Sequence, residues 1–129
     1  MRNAYLTFPN QSNDGISFTK PEGRFGNLKA RLEKSLVRAF GGFTATRADG
    51  AWHDVETDIV HAESVTVYKI AGDWSTENES KLRGIAARYC ALGEQICVLV
   101  EFANGESEFI SPEADLAATL GSARALLAA

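Results

Sequence analysis

The stretch Gly41–Ile70, GGFTATRADGAWHDVETDIVHAESVTVYKI, constrains the chain most. Thr, Val, Ile, Phe, Trp and Tyr dominate it, and such residues suit a pleated, half-buried surface. A turn-forming acidic segment divides it at Glu56-Thr57-Asp58. Two strands folded back on each other are therefore expected: Phe43–Arg47 continuing through Ala51–Glu56, then Ile59–Ile70. Asp49-Gly50 reads as a turn or bulge between the two parts of the first strand. Val65, Val67, Tyr68 and Ile70 are the packing groups expected of the second.

The flanks supply a frame for this hairpin. Ala4-Tyr5-Leu6-Thr7-Phe8 alternates, which places Ala4, Leu6 and Phe8 on one face of a first strand. Residues 9–26 hold Pro9, Asn10, Asn13, Gly15, Pro21, Gly23 and Gly26, so a long loop follows, with Ile16 and Phe18 able to pin it. Asn27 caps a helix whose stripe is Leu28, Leu32, Leu36, Ala39 and Phe40, and Gly41-Gly42 stops it. Thr76-x-x-Glu79 fits a capping box opening a second helix, with Leu82, Ile85, Ala86 and Tyr89 inward and Gly93 at its end. The run ICVLVEF, Ile96–Phe102, reads as a strand covered on both sides. Asn104-Gly105 is a hairpin turn leading to an edge strand, Glu106–Ile110. Ser111-Pro112 starts a C-terminal helix over residues 111–129.

The resulting order is β-α-β-β-α-β plus a hairpin strand and a helix. That is an α+β, ferredoxin-like antiparallel sheet with a C-terminal addition. A length of 129 residues suits one domain, 1–129. Two helices would lie on one face, leaving the other to be covered by the last helix, a second protomer or a partner.

Charge is uneven. Residues 1–50 hold 8 Lys/Arg and 4 Asp/Glu, a balance of +4; residues 51–129 hold 5 and 13, a balance of −8. The basic groups gather as Lys29, Arg31, Lys34 and Arg38 on the outer face of the first helix. The acidic ones gather at the hairpin as Asp54, Glu56, Asp58 and Glu63, beside Trp52, His53 and His61. These two sets are the candidate binding surfaces. If Glu56–Asp58 form a three-residue loop, His53 lies opposite His61 and the imidazoles share a face. With a two-residue loop His53 faces Ala62 and they part. No metal site, cofactor or catalytic residue is assigned on this evidence. Cys90 and Cys97 lie in apolar runs, which reads as two buried thiols in a cytoplasmic protein. No phosphate-loop or dinucleotide fingerprint occurs. No segment approaches the roughly 20 apolar residues of a membrane span.

Gly50-x-Trp52-x-Asp54, followed by Glu63-Ser64-x-x-Val67-Tyr68 and led by Gly41-Gly42-Phe43-Thr44, resembles small uncharacterised ferredoxin-like proteins of bacteria, phages and plasmids over about residues 25–100. The resemblance implies a mobile-element accessory. The expectation drawn from it is a non-enzymatic protein-binding module, self-associating as a homodimer, that blocks a host machine such as a defence system. The alternative is a cofactor-independent small-molecule enzyme of the dimeric α+β barrel kind, with His53 or His61 as base. A second alternative is nucleic-acid binding through the basic first helix.

Overall fold

Alternation in the first strand becomes structure in β1 (Arg2–Pro9) of the computed structural model, which describes residues 1–112. Ala4, Leu6 and Phe8 are buried together. Four further strands join it: β2 (Thr44–Asp54), β3 (Ile59–Gly72), β4 (Val98–Glu101) and β5 (Ser107–Ile110). Every pairing is antiparallel, and the sheet order is β2-β3-β1-β4-β5. The described residues thus form a small α+β fold with a five-stranded antiparallel sheet and two helices. The expected C-terminal helix falls, from residue 113 on, outside the described residues.

Both helices lie on the face that carries Ala4, Leu6 and Phe8. Helix α1 (Leu28–Phe40) buries Leu28, Leu32 and Leu36, one residue per turn. Asn27 caps it by accepting from the Ala30 amide, and Gly41 closes it at φ 90°, a left-handed conformation that glycine adopts without steric cost. Helix α2 (Thr76–Leu92) buries Leu82, Ala86, Ala87, Tyr89 and Cys90. Its cap is Ser75, which accepts from the Asn78 amide, so the expected Thr76–Glu79 box is displaced by one residue. Gly93 serves a purpose other than the expected left-handed stop. Its φ is −87°, and Glu94 takes the positive φ instead. A Cβ at Gly93 would sit 3.2 Å from Phe18 Cζ and from Leu28 Cδ2, so the glycine is there for close approach.

The long loop after β1 is held by its own residues. Phe18 is fully buried and links Phe8 to Phe25, with ring centroids 5.9 and 5.0 Å apart. Arg24 bridges Asp14 and Glu94 across the surface.

Three expectations for the strands need correction. First, β2 passes straight through Asp49-Gly50, with Asp49 opposite Ser64 and Gly50 opposite Glu63, so there is neither turn nor bulge. Second, the β2–β3 loop has four residues, Val55–Asp58, between the paired Asp54 and Ile59. Third, ICVLVEF is covered on one face only among the described residues. Val98, Val100 and Phe102 are buried, while on the other face Leu99 is only half-buried and Cys97 and Glu101 are exposed.

Candidate functional site

Side chains alternate along a strand, so the core fixes both faces of the sheet. Leu6 lies opposite Tyr68 on β3 and opposite Val100 on β4, and Tyr68 lies opposite Ala45 on β2. These groups face the helices. The intervening residues therefore face away: Thr7 on β1, Glu63, Val65 and Val67 on β3, Trp52 on β2, and Leu99 and Phe109 on β4 and β5. Among the described residues no helix covers this second face. It bears a cavity of about 420 Å³ lined by those side chains together with Cys97 and Gln95. That volume lies in the range of small-molecule sites.

The cavity is apolar with few polar groups. Val65, Val67 and Leu99 form its floor, and Trp52 and Phe109 stand at its sides. Glu63 brings a half-buried carboxylate. Burial raises its pKa above the ordinary 4.5, while nearby His61 pulls the other way. Asp49 also borders the space, and among the described residues no Lys or Arg lines it. Cys97 opens to this cavity, contrary to the expected burial of both thiols. Burial, and then the Glu63 charge, push its pKa up, so the thiol stays protonated over a wider pH range.

Register decides where the predicted hairpin residues go. Trp52 pairs with His61 and stacks on it, with ring centroids 4.5 Å apart and planes 22° from parallel. His53 pairs with Val60, on the helix-bearing face. The two imidazoles thus point to opposite faces, which removes the shared-face arrangement a histidine metal site needs. His53 instead meets Asp58, with Nε2 to Oδ1 at 2.8 Å. Asp54 accepts from the Glu56 amide at 3.0 Å, and that bond, with the Thr57 hydroxyl, holds its carboxyl below the usual range. Asp58 turns the chain at φ 56°. The seven hairpin residues therefore do not make one surface. Trp52 and Glu63 line the cavity with His61 beside them, His53 lies across the sheet, and Glu56 and Asp58 occupy the tip. His53 does not reach the cavity, His61 stands beside it stacked on Trp52, and Glu63 and Cys97 are titratable side chains that line it.

The basic set on α1 is split as well. Arg31, Lys34 and Arg38 are exposed on the outer face. Lys29 turns inward, where its Nζ donates to Thr66 Oγ1 at 3.0 Å. Glu33, expected among the outer charges, accepts from the Tyr68 hydroxyl at 2.8 Å; burial, then this bond, raise the phenol pKa well above its usual value.

Sequence reasoning missed Leu99, Cys97 and Phe109 as site residues. Their signal was present. Cys97 and Leu99 are two apart and share a face, and Phe109 is a large aromatic on an edge strand, where it is 74% exposed.

No family model matches the chain, and no curated protein sequence does. Two solved structures share its fold. A phage SAM lyase in complex with S-methyl-5'-thioadenosine matches with a TM-score of 0.62 and 13% identity, over 84% of this chain and 88% of that one. A phage SAM lyase in the apo state matches with a TM-score of 0.60 and 14% identity, over 84% and 87%. This corrects the reading of the chain as a non-enzymatic protein-binding module. The fold it shares nearly end to end is one that serves an enzyme, and the acidic hairpin meant to be the docking surface is divided between two faces. As to membranes, no helix among the described residues is long and apolar enough to cross one.

Proposed function

We propose that the chain is an enzyme that cleaves a small sulfonium compound of the S-adenosylmethionine kind and releases a neutral thioether such as S-methyl-5'-thioadenosine. The observation that carries this reading is the cavity on the sheet face that neither described helix covers: apolar walls, a half-buried carboxylate at Glu63, and no cationic side chain among the described lining residues. Such a lining suits a cation with an apolar body. The likeness to phage SAM lyase supports the choice of cation.

The chemistry asks little of the protein. Sulfonium sulfur is already a good leaving group, so no acid is needed when the carbon–sulfur bond breaks. The bonding pair goes to sulfur and neutralises it. The carbon is satisfied in one of two ways. In an elimination, Glu63 removes a proton from the neighbouring carbon, a task its raised pKa favours. In a cyclisation, the substrate's own carboxylate closes onto the carbon and no external base acts. In both, Glu63 opposes the sulfonium charge, and the faces of Trp52 and Phe109 add cation–π attraction or hold the adenine by stacking.

The sheet order β2-β3-β1-β4 with β5 added outside β4 supports a ferredoxin-like assignment with a one-strand extension. The phage source of both matched structures supports a mobile-element setting.

The test is incubation of the purified chain with S-adenosylmethionine, followed by mass spectrometry. S-methyl-5'-thioadenosine should accumulate with a lactone or an unsaturated amino acid as co-product, which tells cyclisation from elimination. No turnover by the pure chain, together with no binding of either adenosyl compound, would sink the reading.

A further inference from the structure

A second depression lies on the opposite face of the sheet, between the end of β1, the long loop, α1 and β2. It shares no residue with the Glu63 cavity. Its chemistry is the reverse: Lys29 and Arg47 line it with Asn10, Ser17, Thr19 and Ser64, and no carboxylate lines it among the described residues.

One of the two cations, Lys29, is anchored there on a buried side chain. Thr66 is 1% exposed. Its hydroxyl donates to Asn10 Oδ1 at 2.6 Å and accepts from Lys29 Nζ at 3.0 Å. The Asn10 amide in turn donates to Ser64 Oγ at 2.8 Å. This network fixes the ammonium, whose second contact is the same Asn10 oxygen at 3.4 Å. Arg47 lies directly opposite Thr66 on β2, and so projects on the same face beside Lys29. Neither cation takes part in any ion pair among the described residues. A chain of formal charge −4 has thus gathered two positive groups that make no ion pair among the described residues. Like charges side by side repel, and a bound anion removes that cost. The start of α1 is not the source of attraction. The Lys29 amide already donates to Phe18 O and the Ala30 amide to Asn27 Oδ1.

We propose that this basin binds a tetrahedral oxyanion of the phosphate class, clasped by Lys29 and Arg47 and oriented by the hydroxyls of Ser17, Thr19 and Ser64. Its volume of about 170 Å³ suits a phosphoryl group with a few waters. The site is independent of the Glu63 cavity and of any turnover there.

The experiment is a titration of the isotopically labelled full chain with inorganic phosphate at constant ionic strength, read by amide NMR shifts. Saturating shifts at Gln11, Ser17 and Thr19 are expected, with chloride producing none. Arg47→Ala, an exposed position whose loss leaves the Thr66 network in place, should weaken binding by roughly tenfold or more, as for a charge-assisted bond. Lys29→Met should do the same; if it unfolds, Arg47→Ala alone decides. A second arm with glycerol 2-phosphate separates sources: equal affinity means the site takes a phosphoryl group carried on a larger molecule, and weaker affinity means the free ion. Shifts that never saturate, or saturation that persists unchanged in Arg47→Ala, would overturn the assignment.

Discussion

Replacing Glu63 by Gln removes the charge of the main cavity and little of its shape, so binding and stability should respond with opposite signs. Consider binding first. A carboxylate about 5 Å from a sulfonium, in surroundings of effective dielectric about 20, attracts it by roughly 3 kcal/mol. The cavity is open on one side, and solvent screening takes about a third to a half of that. A loss of about 1.5–2 kcal/mol remains, which is roughly 10- to 30-fold in affinity. A neutral thioether feels none of this. Calorimetric titration of the wild type and Glu63→Gln with S-adenosylmethionine and with S-methyl-5'-thioadenosine should therefore show loss for the first and near-equality for the second. Stability runs the other way. Burial raises the folded pKa of Glu63 above 4.5. The folded chain then holds this proton more tightly than the unfolded chain does. The stability so gained is complete below the unfolded pKa and is lost as pH rises through the raised folded value. Glutamine has no proton to lose. Thermal melts between about pH 4 and pH 8 should find Glu63→Gln the more stable protein at neutral pH, with the gap closing in acid. Equal weakening of the cationic and neutral ligands, or a variant less stable at neutral pH, would refute the electrostatic role assigned to this carboxylate.

Two further outcomes follow from the faces of the sheet and from the loop. Trp52→Ala should weaken S-methyl-5'-thioadenosine binding by roughly tenfold, the usual worth of one stacked base, whereas His53→Ala, on the other face, should leave the same titration unchanged. Phe18→Ala should cost about 3–5 kcal/mol in urea unfolding, because its ring is fully buried between Phe8 and Phe25 and anchors a loop that has no regular structure of its own.

Much of the frame was legible in the residues, because local chemistry decides it. The one-per-turn spacing of Leu28, Leu32 and Leu36, the caps at Asn27 and Gly41, and the alternation of Ala4, Leu6 and Phe8 each act within a few residues. What was not legible depends on partners far away in the chain. Asp49-Gly50 has the composition of a turn, yet eleven residues of β3 pair with β2 on both sides of it and hold it extended. ICVLVEF has the composition of a strand buried on both faces, yet one of those faces is the wall of a cavity. The four-residue loop ending in Asp58 at φ 56° carries no glycine to announce it, so nothing local separated it from shorter loops.

That loop length matters because it must agree with a decision made elsewhere. Tyr68 and Glu63 are five residues apart on one strand, an odd number, so they face opposite ways. Once Leu6 on β1 draws Tyr68 into the core, Glu63 is committed to the face away from α1 and α2. The β2 register then sets Trp52 on that face and His53 off it. A slip of β3 by one residue against β1 would bring Val67 and Lys69 under the helices and carry the carboxylate with them, exchanging a buried phenol for a buried ammonium. The hydrophobic core therefore does more than hold the sheet together. By fixing parity along β3, it selects which of the chain's many acidic groups is half-buried in an apolar hollow, and on the function proposed above that selection is what suits the hollow to a cation.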